Sequence, residues 1–137
     1  MTAFNPYLNF DGNAREAMTF YQKCLDAELS VQTFKDVKMD VPKGAENRVV
    51  HARLQKGSAV LMASDTVPGM PYKQGSNFQV NIDCESVQEE DEYFTALSEG
   101  GKVTMPFGKT FYSDGFGMLV DRFGAPWMVM AETNTQA

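Results

Sequence analysis

One pattern runs twice through this 137-residue chain: a strand, a helix and three further strands. In the last third, two β-rich runs, Gly117–Val120 and Trp127–Met130, flank the turn Asp121-Arg-Phe-Gly-Ala-Pro126. The first half holds a similar hairpin, Val49 to Met62, turning at Lys56-Gly57-Ser58. Runs of alternating apolar residues closed by Gly, Asp and Pro are the physical signature of strands joined by tight turns.

The elements ahead of each hairpin repeat as well. Asn5–Phe10 reads as a strand ended by Asp11-Gly12, and Asn13 with Glu16 three residues on has the form of a capping box. Ala14, Ala17, Met18, Tyr21, Cys24 and Leu25 then recur at helical spacing, and Glu28–Lys35 alternates as a strand. Asp36–Asn47 has the composition of a solvated excursion. In the second half Phe78–Cys84 is a predicted strand, and Ser86 with Glu89 opens a helix that carries Val87, Tyr93, Phe94 and Leu97 on its apolar side. That helix stops at Gly100-Gly101 and is followed by the strand Lys102–Phe107. Thr19-Phe20-Tyr21 in the first helix answers Tyr93-Phe94-Thr95 in the second. The predicted fold is α+β: residues 1–65 form one βαβββ module, 66–76 a connector rich in Pro and Gly, and 77–137 a second module. Together they are expected to build a curved mixed sheet around a cleft.

Composition narrows the function. A net charge of −6 argues against nucleic acid, which requires a basic stripe to displace counterions. No apolar stretch approaches the roughly 20 residues that span a bilayer, and no basic start precedes an apolar run. Cys24 and Cys84 stand far apart without metal or redox spacing and read as reduced, mostly buried residues. A cytoplasmic protein is the expectation. No catalytic dyad, phosphate loop or hydrolase elbow is present in the sequence.

Several segments resemble the vicinal oxygen chelate superfamily, the fold of glyoxalase I and of bleomycin- and fosfomycin-resistance proteins, and within it the PhnB-like group. They are Pro6-Tyr-Leu-Asn-Phe10, Gly12-Asn-Ala14, Glu16-Ala17, Phe20-Tyr21, His51-Ala52 and Leu61-Met-Ala-Ser-Asp65, then Gly100 to Pro106, Gly115-Phe-Gly-Met118 and Phe123-Gly-Ala-Pro-Trp-Met128. PhnB-like proteins often carry a 3-demethylubiquinone methyltransferase label. This chain has neither a glycine-rich loop after its first strand nor room for a separate nucleotide-binding sheet, so methyl transfer is not expected.

The resemblance implies a divalent metal held by His and Glu side chains from the first and last strands of each half. Those positions fall at about Pro6, at Met62, near Asn77 and at Met128. None is a carboxylate or imidazole, and thioethers suit Cu(I), not hard or borderline cations. The expectation is therefore no metal and no other cofactor.

What remains is a ligand pocket with an adaptable apolar wall of methionines, at Met62, Met118, Met128 and Met130. His51, the only histidine, reads either as a polar group of that pocket or as a structurally satisfied residue. Asp65 reads as a rim residue or a loop cap, and Tyr112 as part of a lid or of the core. Trp127, adjacent to Met128, should face the opposite side of its sheet, and the acidic run Glu89-Glu90-Asp91-Glu92 should be solvated. Exposed strand edges imply a homodimer. The function expected is binding of a small apolar or aromatic molecule of unknown identity. The alternatives are a metal-dependent lyase, isomerase or dioxygenase, or an antibiotic-sequestering resistance protein.

Overall fold

Alternation of buried and exposed residues along each strand sets which face of each sheet is covered by a helix. The computed structural model describes residues 2–67, 69–108 and 115–131. The chain divides into two units, Met1–Lys73 and Gln74–Ala137.

The first unit runs β1 (Tyr7–Phe10), α1 (Ala14–Leu25), β2 (Glu28–Thr33), β3 (Val49–Lys56) and β4 (Ala59–Asp65). Its sheet has the order β1-β4-β3-β2, with β1 parallel to β4 and the other pairs antiparallel. The second unit repeats it: β5 (Val80–Cys84), α2 (Val87–Ser98), β6 (Lys102–Gly108), β7 (Gly115–Val120) and β8 (Pro126–Ala131), in the order β5-β8-β7-β6. The α+β class and the two βαβββ modules are thus as expected.

In the first unit α1 packs on β2, β3 and β4. Ala14, Ala17, Met18 and Tyr21 are wholly buried against a sheet face that includes Leu8, Phe10, Ala52, Leu54, Leu61 and Ala63. Small alanines on the helix let it approach closely, while Met18 and Tyr21 fill the space between ridges. The β3–β4 hairpin turns at Gly57, whose φ of +60° a glycine adopts without steric cost. In the second unit α2 buries Phe94 and Leu97 over β7 and β8. Gly117 lies directly under Phe94, where a β-carbon would stand 2.9 Å from Phe94 Cδ1, so the strand must be bare there. Trp127 is 1% exposed on this helix-covered face, opposite in direction to Met128, as the alternation predicts.

Asp121 closes the β7–β8 turn. Its Oδ1 accepts the amides of Phe123 and Ala125 at 2.8 and 3.1 Å, and its Oδ2 accepts Trp127 Nε1 at 2.7 Å. One carboxylate thereby satisfies a turn and anchors the largest core side chain.

Four local expectations are corrected. Asn13 stands at the start of α1, yet its side chain caps nothing. Asp65 does that work from the end of β4, accepting the amides of Gly12 and Ala14 on Oδ1, both at 2.9 Å. The excursion after β2 is not wholly solvated, because Ala45 within it is fully buried. Phe78 and Val87 are exposed at 49% and 40%, the first lying ahead of β5 and the second on the outer side of α2. Glu90, placed by sequence in a solvated run, is fully buried, because the turn of α2 that presents Phe94 inward presents Glu90 inward too. The Ser86 cap is formed: its Oγ accepts the Glu89 amide at 3.1 Å, and Glu89 Oε1 accepts the Glu85 amide at 3.1 Å.

Candidate functional site

Each sheet has one face under a helix and one without. On the first unit the helix-free face is built by residues that alternate with the core. Tyr7 and Met62 are partners in the β1–β4 ladder, and Met62 and Arg53 are partners in the β3–β4 ladder. Tyr7, Met62 and Arg53 therefore form one row across three strands, at roughly 4.8 Å per strand. His51, two residues from Arg53 on β3, shares this face. Tyr7 reaches across β4 to it: the phenol oxygen lies 3.3 Å from His51 Nδ1 and the ring centroids are 5.9 Å apart.

The second unit carries a more apolar version. Met118 is the ladder partner of Met128, and Phe116 the partner of Met130, all on the side away from α2. Asn81 stands opposite Met128 and Asp83 opposite Met130 in the parallel β5–β8 ladder. Asn81 Nδ2 donates to Asp83 Oδ1 at 3.1 Å, and Gln79 Nε2 lies 3.3 Å from Met118 Sδ.

The sequence-derived candidates distribute as follows. His51 and Met62 share the helix-free face of the first unit, and Met128 occupies the matching row of the second. Asp65 lies on the helix-covered side, 6% exposed, with its Oδ2 accepting the Val49 amide at 2.9 Å in addition to the two amides at α1. Its oxygens are engaged by the backbone from three directions, which makes it a structural cap. Tyr112 lies outside the described residues. Sequence reasoning missed Tyr7, Arg53 and Asn81 as neighbours of these positions, while Met118 and Met130 were among the methionines it assigned to the pocket wall. The period-two alternation with Leu8 and Phe10 already places Tyr7 outward, but only the ladder register sets it beside Met62.

The first-strand metal positions also move. Pro6 and Asn77 precede β1 and β5, so the side chains facing Met62 and Met128 are Tyr7 and Asn81. A phenol, a carboxamide and two thioethers do not fit a divalent cation of the hard or borderline kind. Among the described residues no three His, Cys, Asp or Glu side chains gather closely enough to hold a metal ion.

Among the described residues two ionisable groups are strongly perturbed, both away from these faces. Burial pushes the Glu90 carboxyl up to about 7, and the nearby Asp91 adds to the rise. Among the described residues neither buried Glu90 oxygen has a well-formed hydrogen-bond partner, and the backbone of Ala131 only tempers the rise. Burial likewise raises the Cys84 thiol to about 12, with Glu89, Glu90 and Asp83 contributing in the same direction.

Two βαβββ units with this strand order define the class: a glyoxalase-fold protein. Solved structures described as glyoxalase/bleomycin resistance/dioxygenase members match it with TM-scores of 0.62 to 0.69 at 13 to 16% identity, a likeness of fold alone. Within that class, residues 2–130 match the family model described as 3-demethylubiquinone-9 3-methyltransferase, and the chain belongs to that PhnB-like family. The crystal structure of protein PA1353 from Pseudomonas aeruginosa is 39% identical, with a TM-score of 0.87 over 96% of this chain and 98% of that one. A putative 3-demethylubiquinone-9 3-methyltransferase, PhnB protein, from Bacillus cereus is 27% identical, with a TM-score of 0.76 over 95% and 99%. Protein YjdN of Escherichia coli K12 is 32% identical over 91% of this chain and 92% of its own length. No helix among the described residues is long and apolar enough to cross a membrane.

Proposed function

We propose that this protein binds a small apolar or aromatic molecule on the helix-free faces of its sheets, without the divalent metal usual in its superfamily. The observation that carries the proposal is the registered cluster Met118, Met128 and Met130, half-buried, polarizable methionines beside the buried Phe116 on the side of the sheet that no helix covers. Thioethers adapt to irregular ligands and make favourable contacts with aromatic edges. Met62 and Met128 stand where the superfamily would place acidic metal ligands, so the same substitutions that remove a charge sink leave an apolar floor.

Titration of the full chain with benzyl alcohol, followed by backbone amide shifts, tests this. Shifts should map to Met118, Met128 and Met130, and Met128→Glu should weaken binding by roughly 1–3 kcal/mol, because a carboxylate there loses water without gaining a partner. Unchanged affinity in that variant would place the pocket elsewhere. Metal analysis of the purified protein separates the metal-dependent lyase, isomerase or dioxygenase alternative: near-stoichiometric Zn, Mn, Ni or Fe would establish it. A binding screen against bleomycin-like and other aromatic drugs separates the sequestering alternative.

The proposal includes a cytoplasmic homodimer. Cys24 and Cys84 both remain thiols, which fits a reducing compartment. The edge strand β6 exposes Val103 and Met105 at 42% and 41%, an apolar edge of the kind that pairing covers. Light scattering giving a monomer mass at micromolar concentration would count against the dimer.

A further inference from the structure

We propose that the helix-free face of the first unit is a subsite for an aromatic carboxylate, with Arg53 as the anion anchor, His51 as a second donor oriented by Tyr7, and Met62 as the floor. This deepens the ligand-binding reading and rests on it.

The argument begins with charge. The chain carries 18 acidic residues against 12 lysines and arginines. In such a chain a surface arginine is expected to meet a carboxylate. Among the described residues Arg53 forms no ion pair; its contact is through Nε, which donates to Gln55 Oε1 at 3.3 Å. Glu28 lies on β2 opposite Gln55, one alternate position away along the same face, and does not close onto the guanidinium. With Nε engaged by a neutral amide, the two terminal nitrogens retain the fork that matches a carboxylate in bidentate fashion.

The second strand of the argument is the tautomer of His51. A phenol that donates to Nδ1 leaves the proton of a neutral imidazole on Nε2. An imidazolium also carries a proton on Nε2, with Nδ1 then donating to the phenol oxygen. The remaining tautomer, with the proton on Nδ1 donated to the phenol oxygen, leaves Nε2 an acceptor; an anion bound on this face selects the other two, in which Nε2 of His51 is a donor on the same face and two residues from Arg53. Two donors and no ion-paired acid make this face selective for an acceptor-rich, negatively charged group.

The third strand is size. Met62 is the ladder neighbour of both Tyr7 and Arg53, so a flat body anchored at Arg53 lies over the thioether with Tyr7 at its far edge. Tyr7 is 44% exposed, and its ring is available to contact such a body. The span of that row is about two strand spacings, close to 10 Å, which suits a single aromatic ring bearing a carboxylate. A long acyl chain would overrun it.

The test compares benzoate with its neutral analogue benzyl alcohol on the full isotopically labelled chain, by amide shift titration at fixed pH and ionic strength. Benzoate is expected to shift Tyr7, His51, Arg53 and Met62 saturably and to bind there about tenfold more tightly than benzyl alcohol. Arg53→Gln, an exposed substitution that leaves the core untouched, should reduce that preference to within about twofold. Tyr7→Phe should weaken benzoate while leaving benzyl alcohol unchanged, because only the donor geometry of His51 is disturbed. Equal affinities of the two probes on this face, or a preference that survives Arg53→Gln, would overturn the carboxylate assignment while leaving the ligand-binding reading intact. Shifts from neither probe on either helix-free face would overturn both.

Discussion

Glu90 on α2 packs its carboxyl against Gly115 at the start of β7, so closely that a β-carbon at residue 115 would collide with Oε1. The equivalent place in the first unit is handled differently. Counting three residues on from Met62 and from Met128 sets Asp65 against Ala131: one unit brings its carboxylate from the strand, the other from the helix. Asp65 is satisfied by three backbone amides, whereas neither oxygen of Glu90 has a hydrogen-bond partner among the described residues.

Stability should therefore depend on pH in the direction opposite to that of a salt-bridged acid. Glu90 holds its proton up to about 7 in the folded chain, against 4.5 for an unperturbed glutamate. The folded state binds the extra proton, so its contribution is full below about 4.5 and is lost as pH rises through about 7. Chemical denaturation from pH 5 to pH 8 should show a decline on the order of 2–3 kcal/mol from this group. Glu90→Gln should flatten that decline. An identical pH profile in the variant would assign the dependence to other groups.

Gly115→Ala tests the packing itself. The added methyl must displace the Glu90 carboxyl or the ring of Phe107, which also lies within contact of the position. Overpacking of this kind costs about 1–3 kcal/mol, read as a lowered denaturation midpoint. A double variant with Glu90→Ala should recover part of the loss, since the obstruction is then removed.

Asp65→Ala should be among the most damaging single changes in the first unit. It strands the amides of Gly12, Ala14 and Val49 and removes the cap of α1. The expected loss is about 3 kcal/mol or more. Asp65→Asn should fall between Asp65→Ala and the unaltered chain, because one acceptor oxygen survives while a carboxamide N–H faces a backbone donor. Hydrogen exchange should report the loss first at the N-terminal turn of α1.

Cys84 should resist alkylation in the native chain. With its thiol raised to about 12 by burial and by Glu89, Glu90 and Asp83, almost no thiolate exists at pH 8. Iodoacetamide treatment followed by peptide mapping should leave Cys84 unmodified until denaturant is added. Rapid native labelling would contradict the burial assigned to it.

The duplication, the order of elements in each module and the opposite facing of Trp127 and Met128 were legible in the sequence. These follow from local rules: residues alternate across a strand, recur every three to four along a helix, and break at Gly, Asp and Pro. The Ser86 cap was legible for the same reason, since its partner Glu89 is three residues away. Asn13 met the same local rule and failed it, because Asp65, far along the chain, presents a better acceptor to the same amides. Glu90 looked solvated from its acidic neighbours, and only the docking of α2 on β7 and β8 buries it. The row of Tyr7, Met62 and Arg53 likewise depends on parallel and antiparallel register between strands distant in sequence. The sequence by itself determined which residues face together within each strand and helix. The tertiary structure alone decided which strands lie side by side, and hence which side chains share a face, because ladder register is set by packing and closure over the whole unit.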